Sequence, residues 1–256
     1  MREIRLYDSL TGQLVPVSAG DAIRVEVRSS PIVSDGGVDV ESTRPLVLFS
    51  FLERFLQREG FGTKFLFDSP SGEDMLYELS DDHEPRSAPD AEDHDAEMSL
   101  LEVPRSDVDR WVNVCFGAGR NGEEWQPAAL SERILLSDAL KRFGHPAVAL
   151  YLLGTHYSLP LGNAFTGLVT ASKNVGRIRD VFKTLDSDQP SPPDMRHHIE
   201  AFRDALANDL DTPLAFVVLF EWVLEAERRG GKIGDNDLRV MLEVLELEEL
   251  TAPVEA

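Results

Sequence analysis

The sequence predicts an α/β half followed by an all-helical half. Three observations predict it. Residues 21–68 read as strand, loop, helix and strand, a βαβ unit that implies a parallel sheet covered by a helix. From about Ser131 onward, apolar residues recur at helical spacing almost to the C-terminus. Between these regions, residues 81–97 read DDHEPRSAPDAEDHDAE, acidic and without large apolar side chains, the composition of a linker or loop. The expected division is therefore 1–130 and 131–256, with an acidic loop at about 81–97.

Each element follows in order. IRLYDS and AIRVEVR are short β-like runs, separated by a turn-rich segment with Gly12, Pro16 and Gly20. Residues 29–42 read as loop, because Pro31, Gly36 and Gly37 break any period. A helix is expected from about Pro45, with Thr43 as N-cap. Its Leu48, Phe51, Leu52, Phe55 and Leu56 recur at three- and four-residue spacing, and Gly60 suits its C-terminal stop. FGTKFLFDS reads as a buried strand. WVNVCFGAG reads as a strand ending in glycines, with Cys115 a small buried hydrophobe. The helical half contains SERILLSDALKRF, PAVALYLLGTHY and a long amphipathic stretch from Asn163. After the proline-rich break DSDQPSPPD come MRHHIEAFRDALAND, PLAFVVLFEWVLEAERR and NDLRVMLEVLELEEL. Thr212 is expected to cap the helix in which Pro213 sits at the first turn, and Gly230 and Gly231 to stop it. Short connections between such helices predict a bundle.

The chain has 256 residues, 42% of them hydrophobic, enough for one large domain or two small ones. Asp and Glu number 46 against 25 Lys and Arg, a net charge of −21, so the global field repels nucleic acid and disfavours general DNA binding. The plain reading of that charge is a solvated surface that aids solubility. No run approaches the roughly 18 apolar residues of a membrane span. The start, MREIRLYDSLTG, has no apolar stretch of a secretory signal. A single cysteine suits a reducing compartment, and a cytoplasmic location is expected.

Four segments carry a resemblance. LYDSLTG, FSFLERFLQREGF, DALKRFGHPAVALYLLGTHYSLPL and DALANDLDTPLAFVVLFEWV resemble, in the same order, segments of cysteinyl-tRNA synthetases, and more distantly the mycothiol-pathway cysteine ligase. The last two matches are long and specific. The resemblance implies a reduced Rossmann-like class I synthetase nucleotide fold over 1–130 and the family's post-catalytic helical domain over 131–256. A full synthetase places an inserted domain and half of its nucleotide fold where this chain has mostly the acidic loop.

The resemblance also implies where catalytic groups belong. In that family a HIGH motif donates to ATP phosphates and KMSKS lysines pair with the developing pyrophosphate, an electrostatic form of catalysis. Counted from Val25, the HIGH position falls on Asp39, Val40, Glu41 and Ser42. Counted back from Asp138, the KMSKS position falls on Trp125, Gln126, Pro127, Ala128 and Ala129. Slippage by a residue or two rescues neither, because residues 1–82 contain no histidine and residues 65–140 no lysine. The family's zinc-binding cysteine position falls on Ser30, and one cysteine cannot supply a site that needs about four N or S ligands. The expectation is a truncated, non-catalytic paralogue without cofactor or metal, acting on tRNA or a protein partner. Loss of a packed domain is expected to expose an apolar edge that a homodimer contact or a loop covers. The competing expectation is a degenerate ATP-dependent ligase for cysteine or another small molecule.

Other candidates are weaker. His83 and His94 lie in the acidic loop with Asp81, Asp82, Asp93 and Asp95, as a solvated loop or a weak divalent-metal site. Gly117–Gly122 lacks the lysine and Ser/Thr of a P-loop and reads as a turn. His197 and His198, adjacent in a helix, are expected to face different directions. His156 and Tyr157 are expected to pack and hydrogen-bond, Asp211 and Thr212 to cap a helix, and Leu206 and Leu210 to fill the bundle. A basic stripe of Lys173, Arg177, Arg179 and Lys183 on the long helix is the candidate contact for RNA or an acidic partner, set against a plain solvated face.

Overall fold

Strand β3 (Asp21–Val27) is the centre of a three-stranded sheet in a computed structural model of the chain. The structure describes residues 2–18, 21–27, 33–34, 37–61, 64–68, 110–120, 133–230 and 233–251. The acidic loop at 81–97, with His83 and His94, lies outside the described residues. β3 pairs in parallel with β6 (Lys64–Asp68) on one side, from Ala22 opposite Lys64 to Glu26 opposite Asp68. On the other side it pairs in parallel with β7 (Arg110–Phe116), from Asp21 opposite Arg110 to Val27 opposite Phe116. Ala22, Ile23 and Val25 are all buried, as in a strand covered on both faces. β7 instead alternates, burying Val112, Val114 and Phe116 on one face and leaving Cys115 half-buried on the other.

Helix α1 (Arg44–Arg58) makes the crossover between β3 and β6. Its buried Leu48, Phe51, Leu52, Phe55 and Leu56 form the expected stripe, each side chain worth about 2 kcal/mol on burial. The stop is also as expected. Gly60, at φ 85°, donates to Gln57 O at 3.1 Å, and Phe61 N donates to Leu56 O at 2.9 Å, the paired bonds of a Schellman ending. Thr43 differs from expectation. It ends a 3₁₀ turn, Glu41–Thr43, and its hydroxyl donates back to Val40 O at 2.7 Å rather than capping α1. The segment expected to be loop also holds a short hairpin, β4 (Val33–Ser34) with β5 (Gly37–Val38).

β1 (Arg5–Asp8) and β2 (Gln13–Pro16) form an antiparallel hairpin. β2 was legible only as turn because its side chains are mostly exposed and show no alternation. β1 lies against β7, with Ser9 N donating to Asn113 O at 2.7 Å and Asn113 N to Asp8 Oδ2 at 3.1 Å.

The helical half contains α2 (Leu136–Phe143), α3 (His145–Leu153), α4 (Ala164–Phe182), α5 (Arg196–Ala207), α6 (Thr212–Arg228) and α7 (Asn236–Val244). One buried apolar cluster runs from Ile4 to Leu250 and includes Leu206 and Leu210. It draws on residues from both expected halves, and α1 packs on both α3 and α7. At the start of α6 the cap is Asp211, whose side chain accepts from Leu214 N at 3.0 Å. Thr212 is already helical and does not cap α6, contrary to expectation.

Candidate functional site

α3 explains the site region. Every residue from Pro146 to Leu153 is buried, so the helix has no solvent face, and its last carbonyls cannot turn to water. Side chains from other elements satisfy them instead. Thr212 Oγ1 donates to Leu153 O at 2.5 Å. The guanidinium of Arg44, fully buried, donates to Leu152 O at 2.9 Å. It also donates to the carbonyls of Thr155, His156 (3.0 Å) and Leu159 (2.6 Å) in the turn that follows. Burial pulls this group down to about 10, opposed by the nearby Tyr151 and Glu41, so it stays charged at neutral pH. A cation at the first position of α1 is unfavourable to that helix but sits at the negative end of α3.

The turn before α1 is closed on itself. Asp39 Oδ1 accepts from Glu41 N at 2.9 Å, and Asp39 O accepts from Ser42 Oγ at 2.7 Å. Val40 N donates to Ile134 O at 2.9 Å. Asp39 is 3% exposed, and its Oδ2 has no hydrogen-bond partner among the described residues. Glu41 Oε1 lies 2.7 Å from the hydroxyl of Tyr151, which is also 3.0 Å from Gly162 O. Burial, then the Glu41 carboxylate, holds that phenol protonated far above its usual range.

A second cluster gathers on Asp209, which is 2% exposed and adopts φ 62°. Its Oδ1 accepts from Tyr7 N at 2.7 Å and from the Tyr157 hydroxyl at 2.5 Å. Its Oδ2 pairs with Arg120, which follows β7 and lies over the Tyr7 ring. His156 Nε2 is 3.1 Å from Asp209 O, and its Nδ1 accepts from Ser158 N at 3.3 Å. Burial lowers the His156 pKa, Arg120 adding to the effect and Asp209 opposing it. His156 and Tyr157 thus pack and hydrogen-bond, as expected.

No protein-family model matches the chain. A cysteine–tRNA ligase of Hydrogenovibrio crunogenus aligns at 26% identity over 138 residues, 53% of this chain and 30% of that protein. One from Parvibaculum lavamentivorans aligns at 35% over 100 residues, 39% of this chain and 21% of that protein. The Thermus thermophilus enzyme aligns at 30% over 104 residues, 37% of this chain and 22% of that protein. The chain is similar to cysteine–tRNA ligases. It spans less than a third of the length of these curated relatives. The solved Agrobacterium radiobacter K84 agnB2 LeuRS–tRNA–LeuAMS complex overlaps 58% of this chain and 24% of that one at 19% identity. Its TM-score is 0.44, below the level that establishes a shared fold.

For this cysteine–tRNA-ligase-like chain, the structure places some of the expected positions. Asp39, Val40, Glu41 and Ser42 form the turn just described. Ser30, Trp125, Gln126, Pro127, Ala128 and Ala129 lie outside the described residues. On α4, Lys173 and Arg177 share one side, while Arg179 and the C-cap residue Lys183 lie on average roughly 120° away around the helix, at about 100° per residue. The expected single stripe is therefore two separate pairs. Arg177 makes a bidentate ion pair with Glu227 (2.8 and 2.5 Å), and Lys183 pairs with Asp180 at 3.1 Å. His197 and His198 do not face apart. Their ring centroids are 3.9 Å apart, because each Nδ1 bonds a carbonyl three residues back, Asp194 O and Met195 O. Among the described residues, no three His, Cys, Asp or Glu side chains are placed to hold a metal ion, and no helix is long and apolar enough to cross a membrane. Exposed large apolar side chains occur on the first hairpin (Leu10, Leu14) and on the helical half (Leu159, Phe165, Leu214, Val217, Leu224).

Sequence reasoning missed Arg44 and Tyr151. An arginine at the N-terminal end of an amphipathic helix was the available signal, since the helix dipole alone disfavours it.

Proposed function

We propose that this chain is a non-catalytic relative of cysteine–tRNA ligases that serves as a binding or regulatory module towards tRNA or a protein partner. The observation that carries the reading is the turn at Asp39–Ser42, where Asp39 and Glu41 supply carboxylates and the Ser42 hydroxyl is spent on Asp39 O. Activating an amino acid on ATP calls for preorganised donors at the phosphates. Carboxylates at that place repel a triphosphate instead. The cation beside that turn, Arg44, is engaged by four carbonyls. The absence of lysine from residues 65–140 points the same way. Lys173 and Arg179, which make no ion pair among the described residues, are the α4 cations that an RNA phosphate or an acidic protein would meet. No cofactor is required by this role.

An aminoacylation assay with ATP, labelled cysteine and bulk tRNA tests the reading. The expected result is no cysteinylated tRNA, together with saturable tRNA or protein binding that weakens steeply with salt. Formation of cysteinyl-tRNA overturns it.

A further inference from the structure

We infer that the cleft between α3, α4 and α6 is a binding site for a flat, uncharged heterocycle whose edge carries both hydrogen-bond donors and acceptors. The cleft encloses about 490 Å³, within the range of small-molecule sites. Its two long walls differ in kind. The α4 wall carries nothing larger than asparagine: Thr166, Gly167, Thr170, Ala171 and Asn174. The α6 wall carries two aromatic rings, Phe216 and Phe220. Small side chains on α4 beside aromatic rings on α6 leave room for a planar ring to stack on Phe216 or Phe220.

The slot is built rather than incidental. Tyr151 forms its base, and the ring lies so close to Gly167 that any Cβ there would collide with it. The Tyr151 hydroxyl is fixed by Glu41 and Gly162, so the base of the slot is held from two sides. One turn beyond Asn174, the Arg177–Glu227 ion pair ties α4 to α6 across the end of the cleft.

The lining decides the ligand's charge and polarity. It contains no Lys, Arg, His, Asp or Glu, so a charged group placed there would lose hydration without gaining a counter-ion. The polar groups it does offer are hydroxyls and carboxamides. The Thr166 hydroxyl and the Asn174 amide make no hydrogen bond among the described residues, and Asn174 brings both a donor and an acceptor. A carboxamide pairs in two-point fashion with an edge that alternates donor and acceptor. The inference does not depend on whether the chain activates an amino acid, because the cleft is lined entirely by the helical half.

The test is calorimetric titration of the full chain with adenosine and uridine as the heterocycles, AMP as the charged analogue and indole as a ring without such an edge. The expected result is saturable binding of at least one nucleoside, AMP binding no more tightly than adenosine, and indole binding more weakly than the nucleoside that binds. Thr170→Trp, an exposed position that fills the slot from α4, is expected to abolish binding while the unliganded melting temperature is kept. Asn174→Leu, which removes the two-point pairing, is expected to weaken it at least tenfold (about 1.4 kcal/mol). Failure of both nucleosides to bind, tighter binding of AMP, or unchanged binding in folded Thr170→Trp or Asn174→Leu protein overturns the inference. A cysteine-dependent ATP reaction with an empty slot would sink the functional reading separately.

Discussion

The hydroxyl of Tyr157 donates to Oδ1 of Asp209 at 2.5 Å, joining the turn after α3 to the corner between α5 and α6. The same carboxylate holds the backbone of β1 through Tyr7 N and the end of β7 through Arg120. Four parts of the chain thus meet on one buried acid. Asp209→Ala is expected to cost about 2–4 kcal/mol in urea unfolding, because it strands a buried phenol and a backbone N–H together. Tyr157→Phe is expected to cost less, about 1–3 kcal/mol, since Tyr7 N and Arg120 still satisfy the acid. A smaller loss for Asp209→Ala than for Tyr157→Phe would contradict this ordering.

Arg44 should be among the least replaceable side chains. Arg44→Met leaves four carbonyls without their donor, that of Leu152 fully buried and the others partly so, and a loss of about 3–4 kcal/mol is expected. Arg44→Lys keeps the charge, but a compact ammonium cannot span acceptors that the planar fork reaches, so it falls between the two. Chemical denaturation of the three proteins gives the order directly.

Stability should fall as the pH drops below the ordinary imidazole value of 6.5. Burial holds the folded His156 pKa under that value. The unfolded chain therefore takes up the proton first, and the contribution present above 6.5 is lost as the pH falls towards the folded value. Protonating Nδ1 also removes the acceptor used by Ser158 N. Urea melts between about pH 7.5 and 5.5 should show this slope in the parent and a flatter one in His156→Asn. Equal slopes would assign the effect to other groups.

The Arg177–Glu227 pair is geometrically good but solvent-exposed, with side chains 39% and 36% accessible. A double-mutant cycle with alanine at both positions should give a coupling under about 1 kcal/mol, reduced further by salt. A larger, salt-resistant coupling would mean that the pair is shielded in solution.

Much of the fold was legible where one local rule decides. Gly60 stops α1 because only a residue free of a Cβ takes its positive φ cheaply, and the β3–α1–β6 crossover follows from spacing alone. The capping of α6 was half legible, since Asp211 and Thr212 are both competent, but only contact with α3 shows that Thr212 serves Leu153. Arg44, Tyr151 and Asp209 were not legible as a site. The pairs Arg44–Leu152, Tyr151–Glu41 and Asp209–Tyr157 each join residues more than 50 apart, and no period in a sequence encodes such a meeting. β2 escaped notice for a different reason, as an exposed edge has no hydrophobic alternation to read.

Cysteine-dependent exchange of labelled pyrophosphate into ATP isolates adenylate formation from every later step. With carboxylates at Asp39 and Glu41, exchange is expected at the level of a no-enzyme control for cysteine and for the other amino acids. Exchange that rises with cysteine and saturates would contradict it.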